Sequence, residues 1–104
     1  MAAFVCLLTP AFDGRFLAAA TPEQRAIVER HGEFLLGLQE QGRLLLAGRC
    51  WDGPLGIVIV TAADEAEARA LLADDPSVVA GVQSAAIYPF SVFAAPAPGG
   101  VTAP

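Results

Sequence analysis

The 104-residue chain has no lysine: its six basic residues are all arginines, and eleven acidic residues bring the net charge to −5. A protein that grips nucleic acid neutralises several phosphates with a clustered basic face, so no nucleic-acid partner is expected. Long apolar runs are missing as well. The most hydrophobic stretch, Pro54 to Ala63, stops at Asp64, well short of the ~20 residues of a membrane-spanning helix. No membrane partner is expected, and with no basic residue before Arg15 to start a secretory signal, the chain reads as cytoplasmic. Cysteine is sparse. Cys6 and Cys50 stand far apart without a CxxC or histidine-rich companion motif, which indicates neither a metal site nor a redox pair. Cys6, in an apolar run, reads as a small core residue, whereas Cys50, beside Trp51, is either a plain reduced thiol or part of a cavity wall. Phosphate-binding loops and dinucleotide fingerprints are also absent. Gly53-Pro54-Leu55-Gly56 has the glycines but no helix to follow them, so no cofactor is expected.

What is present is core material: 55% of residues are hydrophobic and only 16% charged, enough for one packed domain and too apolar for a disordered chain. Ala3 to Thr9 is a nearly continuous apolar run ended by Pro10, the signature of a strand buried on both faces. A loop with the turn signal Asp13-Gly14 and the aromatics Phe12 and Phe16 follows. Thr21-Pro22-Glu23-Gln24 has a capping threonine, a proline for the first turn and a glutamine that can bond back to the cap, so a helix is expected from there to about Gln41. Ile27, Phe34, Leu35 and Leu38 recur at helical spacing, and Gly42 supplies the left-handed residue after the end.

Arg43 to Gly48 and Gly56 to Thr61 are two further strand-length runs, with Asp52-Gly53 between them marking a hairpin. Asp64-Glu65-Ala66-Glu67 repeats the capping-box chemistry and opens an alanine-rich helix to about Ala73. Asp75-Pro76 starts a one-turn helix ending near Gly81, and a last strand runs from Val82 to about Phe93. Pro89 within it costs a ladder donor and predicts an edge strand or a bulge. Residues 1–94 are expected to form the domain and 95–104 a mobile Pro/Gly/Ala tail.

Strand, helix, strand, strand, helix, strand is the order of an α+β, ferredoxin-like βαββαβ fold with a four-stranded antiparallel sheet and both helices on one face. Yet Phe4, Cys6 and Leu8 alternate with Val5 and Leu7, and Ile57 and Ile59 alternate with Val58 and Val60, so neither face is polar. A second copy of the chain is the expected cover, giving a homodimer packed sheet to sheet.

Chemistry concentrates on the single histidine. His31 falls four residues after Ile27 and three and four before Phe34 and Leu35, which points its imidazole from the apolar helix face toward the sheet. It is there either as a satisfied core histidine or as a proton carrier whose second ring nitrogen is held by a carboxylate. Asp75, just before a proline, reads as an N-cap. Arg15 could hold an anionic group or form a surface ion pair, and Phe16 and Trp51 could wall a small pocket or close the core edge.

The segments Phe4 to Pro10, Thr21-Pro22-Glu23, His31 with Phe34-Leu35, Gly42 to Gly48, Asp52-Gly53 to Ile59, Asp75-Pro76 with Ala80-Gly81-Val82, and Pro89-Phe90 together resemble the YCII-related (YciI-like) family. Arg49 departs from it, standing where members often carry proline. The resemblance implies a dimeric α+β barrel whose active site combines a helix histidine with the aspartate of an Asp-Pro motif, here His31 and Asp75. The function expected from residues and resemblance together is a small enzyme of the proton-transfer type. It would isomerise or eliminate on a small cyclic or aromatic-derived metabolite, with Arg15, Phe16 and Trp51 contacting substrate. The alternative is a non-catalytic module binding a small ligand or a protein in the same barrel.

Overall fold

A computed structural model describes residues 1–11, 20–50 and 55–95. Four strands and three helices follow in the order β1 (Ala2–Pro10), α1 (Pro22–Glu40), β2 (Leu44–Arg49), β3 (Gly56–Ala62), α2 (Glu65–Ala73), α3 (Pro76–Val79) and β4 (Gln83–Phe90). The strands make one sheet in the order β2-β3-β1-β4, antiparallel throughout. This is the expected α+β architecture. The expected turns Asp13-Gly14 and Asp52-Gly53, and nearly all of the tail over 95–104, lie outside the described residues.

The helix starts are written as the sequence spells them. Thr21 accepts from the backbone N–H of Gln24 while the Gln24 side chain accepts from the Thr21 N–H, a complete capping box with Pro22 in the first turn. At α2 the box is only half made: Asp64 accepts from the Glu67 N–H, but the Glu67 carboxylate is spent on Arg43, the residue just before β2. An ionic partner beside the sheet takes the place of the local bond, and it ties α2 to the entry of β2. Gly42 and Gly81, both at φ +72°, end α1 and α3 in the left-handed region that only glycine enters freely.

The last strand needs correcting at both ends. β4 runs from Gln83 to Phe90, not from Val82 to Phe93; Val82 is buried just before it and Phe93 is fully exposed beyond it. Pro89 does not interrupt the strand. It pairs with Phe4 at the sheet edge, where outward-facing amides have no ladder to lose.

Phe4, Cys6 and Leu8 of β1 and Val58, Val60 and Ala62 of β3 are buried against Leu38 of α1 and Ala68 and Leu72 of α2, with Phe34, Leu35 and Leu44 packed around them. All the helices therefore lie on one face. Val5, Leu7, Ile57 and Ile59 point to the other and stay half-buried. Between Leu44 and Leu46 a β-bulge shifts the pairing of β2, so that Leu44 sits opposite Val60 and Ala47 opposite Val58. Among the described residues no helix is long and apolar enough to cross a membrane.

Candidate active site

Two elements far apart in sequence bring the chemistry together. α1 carries His31 on the face that meets the sheet and α3, and α3 opens with Asp75 as its N-cap. The Asp75 carboxylate is almost completely buried, at 1% exposure. Burying a carboxylate is tolerable only when both its oxygens are hydrogen-bonded, and here they are. Oδ1 accepts from the Ser77 backbone N–H at 2.9 Å and from the Ser77 hydroxyl at 2.8 Å, while Oδ2 meets His31 Nδ1 at 2.6 Å. The hydroxyl, also buried, accepts in turn from Gln83 Nε2 at 3.2 Å.

The polarity of this chain is fixed from its centre. A carboxylate can only accept, so His31 carries a proton on Nδ1, and in the neutral imidazole the lone pair is then the one on Nε2. Among the described residues Nε2 has no protein partner. The side chain is 14% exposed, and the ring forms part of the wall of a cavity of about 250 Å³. The rest of that wall is mainly apolar, from Leu8, Val28, Leu35, Ala47 and Val58, with Gly56 on β3 and the polar groups of Gln83 and Arg49. An apolar cavity of about 150 Å³ holds a benzene ring, so this one has room for a single substituted ring. Cys6 lies behind the same network: burial first, and the nearby Asp75 carboxylate second, push its thiol up to about 11, which keeps it inert at neutral pH.

His31 and Asp75 thus stand in contact, and the structure lets Asp75 cap α3 with one oxygen while the other meets the imidazole. Arg15, Phe16 and Trp51 lie outside the described residues. Cys50 is exposed and forms no part of the cavity wall. Sequence reading missed Ser77, Gln83 and Arg49. Ser77 had a signal, since an Asp two residues before a Ser can bond its N–H in a local turn; the others had none. Among the described residues no cluster of histidine, cysteine and carboxylate side chains is arranged to hold a metal ion.

A ferredoxin-like α+β domain with a histidine-lined cavity between its first helix and its sheet is the class that fold and site define. Within it, the family model of the YCII-related domain matches residues 3–91, and the chain belongs to that family. No curated protein matches the sequence. Among solved structures, 5-chloro-2-hydroxyhydroquinone dehydrochlorinase (TftG) from Burkholderia phenoliruptrix AC1100, in complex with 2,5-dihydroxybenzoquinone, has a TM-score of 0.58 at 12% identity, covering 86% of this chain and 93% of that one. At that identity the likeness establishes the shared fold.

Proposed function

We propose that the protein is a small cytoplasmic enzyme of the proton-transfer type, isomerising or eliminating on a small cyclic or aromatic-derived metabolite. The observation that carries this reading is the His31–Asp75 contact of 2.6 Å, made from a buried carboxylate to a histidine that also lines a ring-sized cavity. His31 Nε2 takes a proton from carbon or oxygen of the substrate and returns it, at another atom or to the leaving group. Asp75 holds the tautomer and stabilises the imidazolium between the two transfers. The dehydrochlorinase neighbour, solved with a hydroxylated quinone, supports a ring as the bound shape. Arg15, Phe16 and Trp51 are assigned to the substrate side. Residues 1–94 form the working unit, and the apolar sheet face turned away from the helices is covered by a second copy in a homodimer.

Turnover of a panel of cyclic hydroxy acids and halogenated phenols, followed by proton exchange into deuterated water, tests the reading. His31→Ala and Asp75→Asn each lower kcat by about 10²- to 10⁴-fold, and the double variant loses little more than the worse single one, because the pair acts as a unit. A ligand bound equally well by His31→Phe, with no exchange in the parent, would establish a binding module instead.

A further inference from the structure

The bulge in β2 has a consequence for the cavity. In a regular strand starting with Leu44 on the helix-covered face, Arg49 would point to the opposite side. The extra residue at Leu45 shifts the alternation, so that Ala47 stands opposite Val58 and Arg49 opposite Gly56, both on the covered face. Bulges commonly re-aim side chains in this way beside active sites. Arg49 joins the cavity wall as its one cationic group, with no ion-pair partner among the described residues.

At the same end of the cavity lies Gln83, only 7% exposed. The Asp75 network dictates its orientation: the Ser77 hydroxyl spends its proton on Asp75 and can only accept from Gln83, which must offer Nε2. Oε1 is thereby turned the other way. A Cβ built on Gly56 would stand 3.9 Å from Oε1 and 3.5 Å from the Leu8 Cβ, which places this oxygen at the glycine-lined part of the wall. Oε1 accepts from no described residue. It is not sealed in either, because the one sealed side-chain polar atom without a partner among the described residues is Arg43 Nε.

We propose that Arg49 and Gln83 determine specificity, selecting a ring that carries both an anionic group, paired by Arg49, and a hydroxyl, which donates to Gln83 Oε1. This rests on the proposed site and names the class of molecule it takes. Calorimetric titration of the full chain with 3-hydroxybenzoate and benzoate tests it. The hydroxylated probe should bind about five- to tenfold more tightly, the worth of one hydrogen bond. Gln83→Leu and the shape-conserving Gln83→Met should bring that ratio to about one. Arg49→Gln should weaken both probes about tenfold or more and flatten their salt dependence. A preference that survives both Gln83 variants overturns the proposal, as does failure of either probe to bind at millimolar concentration. Turnover with an unchanged preference sinks this inference alone; the expected preferences without any proton exchange sink the enzyme reading and leave this one standing.

Discussion

The two faces of one sheet differ in how they are finished. On the covered face, Val58 and Cys6 are buried under the helices between exposed Ala47 and half-buried Ile87, and at one end apolar packing gives way to Asp75, Ser77 and Gln83, each buried and each bonded to the next. On the open face, the row Leu46, Ile59, Val5 and Tyr88 crosses all four strands with the Tyr88 hydroxyl as its one polar side-chain group, and Leu46 and Tyr88 are 51% and 53% exposed. Hydrophobicity alone does not separate the faces. What separates them is that one bonds buried polar side chains to one another around a cavity, while the other leaves large apolar side chains exposed.

The largest effect should come from putting a charge on the open face. Ile59 sits at its centre, between Val5 and Leu46. Ile59→Asp leaves the monomer foldable, since the side chain can reach water there, but the proposed dimer would bury an unpaired carboxylate from each copy. That costs several kcal/mol, about a thousandfold or more in the dimer Kd. Sedimentation should show a dimer for the parent and a monomer for the variant. A parent that is a soluble monomer at micromolar concentration would mean the open face needs no cover.

A matching change on the covered face should damage the fold rather than the assembly. Asp75→Ala removes an N-cap worth ~1 kcal/mol and strands the Ser77 N–H, the Ser77 hydroxyl and His31 Nδ1 in a site where an unmet buried donor costs ~1–3 kcal/mol. For a domain of this size each kcal/mol lowers Tm by about 4–8 °C, so calorimetry should show a fall on the order of 10 °C or more with the dimer retained. Nitrogen NMR of the imidazole should report a single Nδ1–H tautomer in the parent and a mixture in the variant. An unmoved spectrum would mean that Asp75 is a cap and nothing else.

How far these features were legible follows from their range. The capping box at Thr21, the edge position implied by Pro89 and the apolarity of both sheet faces are carried by neighbouring residues, and local rules read them. His31 could be aimed at the sheet from its spacing to Ile27 and Phe34, but its meeting with Asp75 at a sequence separation of 44 was supplied by family resemblance, because no local rule spans that distance. Arg49 was beyond reach for a different reason. Its side was decided by a bulge at Leu45, inside an unbroken run of leucines that gives no sign of where the register will slip. Gln83 became readable only once Ser77 had committed its proton, a property of the assembled network and not of any segment.

The smallest effect, and the finest probe of the covered face, is the titration of Cys6. Burial and then the Asp75 carboxylate raise its thiol from 9.0 to about 11 in the folded chain, while the unfolded chain keeps the ordinary value. Between these limits the unfolded state binds fewer protons than the native one, so stability is fully present below pH 9.0 and declines as pH rises toward about 11. Cys6→Ala should remove this part of the alkaline decline in urea titrations, and Asp75→Asn should narrow it from above by removing the smaller contribution. Labelling offers an independent check near pH 8: a thiol reagent should modify exposed Cys50 in the folded protein and reach Cys6 only on unfolding. Two equally fast thiols would show that the helix-covered face opens as readily as the other, and the contrast between them would fail at its most protected point.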